Sequence, residues 1–209
     1  MSRATGWVIL RPMWDQRYGE PGFAYGTEPN DFLAANAERY LPAGGEILSL
    51  AEGEGRNAVF LARLGFRVTG VDGSAVGLEK ARKLAAQRGV EIRTVVADLA
   101  HFDLGVERWD GVVSIWFHTP SVTRARIHRS VVAALRPGGA LLLEAYTPKQ
   151  LELGTGGPPT ADWLMTAAAV RDELAGLELL LIEEKIREVN EGRFHGGPSA
   201  VLQVVARKP

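Results

Sequence analysis

The sequence predicts an α/β fold: a doubly wound sheet of about seven strands, mostly parallel, with an antiparallel hairpin strand at the C-terminal end. Three observations carry this expectation. Short apolar runs alternate with helical stripes, a glycine-rich bend follows the first run, and the last two strand-like runs lie too close for a crossover. Repeated strand and helix units return each strand parallel to its neighbour, because the crossovers are right-handed.

Glu46 to Leu50 is short and apolar, as a fully buried parallel strand is. A helix follows from Arg56 to Leu64, and Gly65 stops it by tolerating a left-handed conformation. Phe66 to Val71 is the second strand. Ser74 caps a helix to Arg88, with Val76, Ala81, Leu84 and Ala85 as its apolar stripe and Gly89 as its stop. Strand three spans Glu91 to Val96 and strand four Asp110 to Ile115. Ile127, Val131 and Leu135 mark the next helix, and the turn Arg136-Pro137-Gly138-Gly139 leads into strand five, Ala140 to Ala145. A helix at Ala167 to Ala175 precedes two strand-like runs, Leu177 to Val189 and Ser199 to Arg207. Only nine residues, Asn190 to Pro198, separate these runs. That length closes a hairpin but not a parallel return, so the last strand runs antiparallel.

The length of 209 residues, with 46% apolar, suits one domain, read as a lid over 1–45 and a core over 46–209. Lysine and arginine number 24 against 25 acidic residues, which predicts neither a nucleic-acid nor a membrane partner. With 0 cysteines and 4 scattered histidines, neither a disulfide frame nor a metal site is expected. No run approaches the roughly 18 apolar residues that span a bilayer. Met1 to Leu10 lacks a leader pattern, so the expectation is a soluble, unprocessed, cytoplasmic chain, monomeric or homodimeric.

Ala51-Glu52-Gly53-Glu54-Gly55-Arg56-Asn57 lies between strand one and its helix, where glycines let the backbone approach a ligand. Asp72 ends strand two, 19 residues beyond Gly53, where an ionised carboxylate accepts both hydroxyls of a ribose, with Gly73 and Ser74 beside it. Asp98 closes strand three, where it or its backbone can read an adenine amino group while an apolar residue such as Leu99 or Phe102 covers the ring. Three strand ends thus describe an adenosine.

Through Ser49-Leu50-Ala51-Glu52-Gly53-Glu54-Gly55, Val71-Asp72, Ala97-Asp98 and Leu135-Arg136-Pro137-Gly138-Gly139, the chain resembles the class I S-adenosylmethionine-dependent methyltransferases. The Gly-Glu-Gly-Arg-Asn stretch, Trp14-Asp15-Gln16-Arg17-Tyr18 and Tyr25-Gly26-Thr27-Glu28-Pro29-Asn30 look like the tellurite-resistance and thiopurine-type small-molecule branch. The resemblance implies a Rossmann-like fold, S-adenosyl-L-methionine as cofactor and a small-molecule methyl acceptor. Two positions depart from the pattern: Ser49 stands where members usually carry aspartate, and Ala51 where they carry glycine. Serine holds no charge, and alanine narrows the permitted backbone angles. Glu52 is read as offsetting this by pairing with the α-amino group of the cofactor.

Methyl transfer from a sulfonium needs orientation and a shielded cavity rather than a covalent intermediate, which agrees with the absence of cysteine. After strand four, Trp116 and Phe117 wall the pocket, and His118 is the candidate to orient or deprotonate the acceptor. Trp14, Arg17, Tyr18 and Tyr25 are read as an irregular lid: Arg17 receives the cofactor carboxylate and the aromatic residues line the acceptor cavity. Tyr146, Arg193 and His195 are placed at the cavity mouth, and Arg124 to Arg129 on a solvated helix face. Gly53-Glu54-Gly55-Arg56-Asn57-Ala58 also satisfies a dinucleotide pattern, which keeps an NAD-dependent oxidoreductase open. A non-catalytic S-adenosylmethionine-binding protein stays open on account of Ser49 and Ala51.

Overall fold

A computed structural model describes the backbone of residues 6–209 and the side chains of 12–209. Residues 1–5, part of the expected lid and of the Met1 to Leu10 stretch, lie outside the described residues. One seven-stranded sheet organises the chain. Its strands are β1 (Glu46–Leu50), β2 (Arg67–Asp72), β3 (Arg93–Val96), β4 (Trp109–Ile115), β5 (Leu135–Tyr146), β6 (Glu178–Glu191) and β7 (His195–Arg207). The order is β3-β2-β1-β4-β5-β7-β6, with β7 antiparallel to both β5 and β6 and the other pairs parallel.

Chain order reverses between β1 and β4, which register as Ile47 to Gly111 and Leu50 to Ser114. Folds of this kind bind ligands in the crevice at the carboxyl ends of the strands on either side of such a reversal. Strict alternation then fills both faces of the sheet. Leu48, Leu50, Val112, Leu141 and Leu143 pack under helices α5 (Ser121–Ala134) and α7 (Ala167–Glu173). Ile47, Val113 and Leu142 pack on the other face under α2 (Asp31–Tyr40) and α3 (Arg56–Arg63). Helix α4 (Ala75–Gln87) begins at Ser74, whose hydroxyl accepts the Gly77 amide at 3.1 Å, as the sequence predicts.

Three features differ from the sequence reading. The segment taken as an irregular lid is helical over α1 (Gly6–Gly19), so Trp14, Arg17 and Tyr18 sit at helical spacing on one face. The Pro-Gly-Gly turn is drawn into β5, because the Gly138 amide donates to Lys208 O and Lys208 N donates to Gly139 O, both at 2.8 Å. The last hairpin closes through Gly192 to Phe194 alone, with Glu191 paired to His195. Its tip docks on Ala24: Arg193 N donates to Ala24 O at 2.9 Å, and a Cβ on Gly192 (φ +71°) would lie 2.5 Å from that same oxygen.

Candidate active site

A cavity of about 1260 Å³ opens at the carboxyl ends of β1 to β4. The bend after β1 is shaped by left-handed residues, Gly53 at φ +62°, Gly55 at +96° and Ala51 at +51°. Alanine at that angle is strained, so the departure noted from sequence carries a real backbone cost. Gly53 faces the cavity, and Tyr18 lies against it: a Cβ there would sit 2.8 Å from the Tyr18 hydroxyl oxygen. Gly55 does not line the cavity; a Cβ would strike Ala81 at 2.6 Å, so this glycine serves the α3 to α4 approach.

Asp72, Gly73 and Ser74 at the end of β2, and Asp98 and Leu99 at the end of β3, share this one cavity with Gly53. Asp72 Oδ2 accepts the Gly53 amide at 2.9 Å and Oδ1 accepts the Ser74 amide at 2.7 Å. Two carboxylate oxygens offer about four lone-pair directions, and with the Gly73 amide also directed at this group at least one remains for a ribose hydroxyl. Burial pushes this carboxyl up, against the opposing effect of those amides. Asp98 is held the same way by the Ala100 amide at 2.8 Å.

Ser49 is buried behind this wall, where its hydroxyl donates to Glu52. Glu52 lines the cavity, but its other oxygen accepts the Ala58 amide at 2.9 Å, capping α3. The carboxylate missing at Ser49 is therefore supplied three residues later, and it serves the protein backbone rather than standing ready for an amino group. Burial lifts its pKa from 4.5 to about 7. Asn57 also lines the cavity, with its carbonyl oxygen accepting the Asn30 amide at 3.0 Å.

The opposite wall is aromatic. Trp116, held at φ +56°, stacks on Tyr146 at 4.4 Å and meets His195 edge-on at 5.0 Å. A bulky residue in the left-handed region is an outlier, sustained here by the Trp116 amide donating to Glu144 O at 2.9 Å and by Nε1 donating to Glu191 at 2.6 Å. Phe117 and His118 continue this wall. His118 uses both ring nitrogens on the backbone: Nε2 accepts the Tyr146 amide at 3.0 Å, which leaves Nδ1–H to donate to Trp116 O at 3.0 Å. Burial drives its pKa down to about 4. It is a wall residue with no nitrogen spare for an acceptor, contrary to the catalytic part expected of it.

Trp14, Arg17 and Tyr25 line the cavity, with Trp14 stacked on Tyr18 at 5.6 Å. Tyr18 is buried, and its hydroxyl is pushed well above 10.0 by burial and then by the Asp72 charge. Two expected cavity-mouth residues lie elsewhere. Tyr146 is fully buried behind Trp116, and Arg193 is half exposed in an ion pair with Glu20 at 3.0 Å. His195, by contrast, is buried at the start of β7 and lines the cavity.

The helix face read as solvated is also mixed. Arg124 and His128 are buried against Glu173 at 2.8 and 2.6 Å, whereas Arg126 and Arg129 border the cavity. Sequence reasoning passed over Arg56, which the glycine bend itself exposes to view, and Trp163 and Phe194, which nothing local marks. Among the described residues no group of His, Asp and Glu is placed to hold a metal ion.

Comparison with known proteins bears on this geometry. Residues 47–139 match the methyltransferase domain family. They cover the strands that carry Gly53, Asp72 and Asp98. The fold is that of a class I methyltransferase. A SAM-dependent methyltransferase from Methanosarcina mazei superposes with a TM-score of 0.65 at 21% identity, covering 82% of this chain and 96% of that one. A structure concerned with conversion of a disulfide bond into a thioacetal group during echinomycin biosynthesis reaches a TM-score of 0.74 at 21% identity, over 95% and 92% of the two chains. The 2-heptyl-1-hydroxyquinolin-4(1H)-one methyltransferase of Mycobacteroides abscessus is 28% identical over 117 residues, 54% of this chain. That match spans 52% of the curated relative's own length. S-adenosylmethionine is the cofactor that goes with this domain and fold. Among the described residues no helix is long and apolar enough to cross a membrane.

Proposed function

We propose that this protein transfers a methyl group from S-adenosylmethionine to a small planar acceptor. The observation that carries the reading is the convergence of Gly53, Asp72 and Asp98 on one cavity at the sheet's reversal point. The cavity exceeds the roughly 300 to 1,000 Å³ of common small-molecule sites, which leaves space for a nucleoside cofactor and an acceptor together. Ala51 to Gly53, Asp72 and Asp98 with Leu99 would hold the adenosyl end, by backbone approach, ribose hydroxyls and base respectively. Asn57 borders the part left for the amino-acid end, and Arg17 lies toward the aromatic end, over Phe194.

When bound, the cofactor supplies a methyl group activated on a sulfonium. The chain's own residues orient and shield. Trp116 offers an aromatic face toward a cation, and α1 with Tyr25 covers the cavity against water. Of the acceptors considered from sequence, thiol, chalcogen oxyanion and heterocycle, the last is favoured. Trp14, Tyr25, Trp116, Phe117 and Trp163 form walls that a flat ring fills and a tellurite-sized oxyanion does not. A relative that acts on a quinolone supports the same choice.

Calorimetric titration with S-adenosylmethionine, its demethylated product and NAD in parallel tests the cofactor assignment. Binding of the two adenosyl compounds and not NAD is expected. NAD binding alone would reverse it. Turnover against a panel of hydroxylated heterocycles, thiols and tellurite then tests the acceptor, and binding without turnover on all of them would mark a sensor.

A further inference from the structure

At the aromatic end of the cavity, two buried polar atoms are left incomplete by the protein's own hydrogen bonds. Arg56 donates Nη2 to Glu191 at 2.5 Å, and its Nη1 is buried without a partner. His195 Nδ1 is likewise buried without a partner. Glu191 joins the two: it is the cross-strand partner of His195, and the oxygen that takes Arg56 also takes Trp116 Nε1 at 2.6 Å. Both side chains line the cavity. An unmet buried polar atom costs about 1 to 3 kcal/mol. Arg56 Nη1 is a donor, and His195 Nδ1 is one in the tautomer that carries its single proton there, so together they suit an acceptor atom of a ligand.

The charge balance indicates which group. Behind the wall, Glu144 and Glu191 are matched by Arg187 and Arg56, with Arg187 gripping Glu144 at 2.8 and 2.7 Å. Asn30 and Gln203 complete Glu144 at 2.5 and 2.7 Å, so this network is neutral, with Arg56 Nη1 left over. Arg17 adds a positive charge. It donates to the Tyr25 hydroxyl at 2.7 Å and lies over Phe194 at 4.5 Å, and the described residues give it no carboxylate partner. The Tyr25 ring is 4.7 Å from His195. This end of the cavity is aromatic and positive, whereas the Asp72 and Asp98 rim is acidic.

We propose, on the methyltransferase reading above, that Arg56 and His195, with Arg17 nearby, recognise an acceptor that binds as an aromatic oxyanion, the ionised oxygen being the atom that takes the methyl group. Neither histidine at this wall is built to remove a proton. His118 has both nitrogens committed, and burial, then Arg56, pushes His195 down to about 3. An acceptor oxygen already ionised needs no base. It gives its lone pair to the methyl carbon, the carbon–sulfur bond breaks with its electron pair passing to sulfur, and no proton is left over.

The test uses the full chain saturated with S-adenosylhomocysteine, titrated with 4-nitrophenol, its methyl ether 4-nitroanisole and 4-nitrobenzoate. The wild-type protein is expected to bind the phenolate at least about 10-fold more tightly than the ether, with the preference vanishing below the pKa of the phenol. Arg56→Lys and His195→Asn are each expected to weaken phenolate binding by about 10- to 100-fold and to leave ether binding unchanged. If a variant does not fold, the wild-type pH series decides. Equal binding of ether and phenolate by protein that still holds S-adenosylhomocysteine overturns the proposal. Tighter binding of the benzoate than of the phenolate also overturns it, because the pair then reads a carboxylate and not the accepting oxygen. Failure to bind S-adenosylhomocysteine at all strikes the methyltransferase reading instead.

Discussion

Ala51→Gly should stabilise the protein, against the usual sign of an alanine-to-glycine change. Ala51 sits at φ +51°, in the left-handed region, where an L-residue with a Cβ bears about 1 to 2 kcal/mol of steric cost. Glycine removes that cost. It also gives the unfolded chain more freedom, which returns about 0.5 to 1 kcal/mol to the unfolded side. The difference is a net gain of about 0.5 to 1 kcal/mol, equivalent to about 1 to 4 °C in melting temperature for a chain of this size. Urea unfolding of both proteins without cofactor would show the midpoint moving up at constant slope. A loss of 0.5 kcal/mol or more, the ordinary glycine penalty, would refute the strain argument and with it the left-handed geometry of the bend, since glycine would then be relieving nothing (compare about 1 kcal/mol in a regular helix).

Asp72→Ala is expected to weaken S-adenosylmethionine binding by about 1.5 to 3 kcal/mol, and calorimetry on a variant that is still folded checks it. Because Asp72 also takes the Gly53 and Ser74 amides, its hydrogen exchange at those two amides should rise as well. Glu52→Gln should flatten the pH dependence of stability. Glu52 titrates near 4.5 when unfolded and at about 7 when folded, so its ionisation costs nothing below the first value and removes up to about 3 kcal/mol as pH rises to the second. Subtracting the variant's stability curve from the wild-type curve should isolate that fall, and a difference that rises with pH would contradict it. Glu144→Ala should cost about 1.5 to 3 kcal/mol by removing a fully buried carboxylate to which Asn30, Gln203 and Arg187 all donate, while the partly exposed Arg187 keeps Glu191 and Asp31 as partners, measured by the same urea titration. A loss under 1 kcal/mol would mean that the network is solvated.

The amino-acid sequence alone determined the layered architecture, because that rests on local and periodic signals. β-rich runs, helix stops at Gly65 and Gly89 and the Ser74 cap are properties of a few neighbouring residues, and they recur in the structure close to their expected positions, except that β5 begins at Leu135 rather than Ala140 and β7 at His195 rather than Ser199. The adenosine-facing rim was legible for the same reason: Gly53, Asp72 and Asp98 each follow a strand, and strands side by side bring their ends together. Lid helix α1 was legible in principle from Trp14, Arg17 and Tyr18 at helical spacing, but Pro12 and the dense aromatic composition obscured the pattern.

The acceptor end was decided by tertiary structure. Whether His118 or His195 has a nitrogen to spare depends on where the Tyr146 amide lies, 28 residues away from the first, and on the tightness of a hairpin whose turn is fixed by contact with Ala24. Arg56 acquires its meaning only from Glu191, which is 135 residues distant. Such pairings are made by the register of β6 against β7 and by the burial of opposite charges, and neither leaves a periodic trace in the chain.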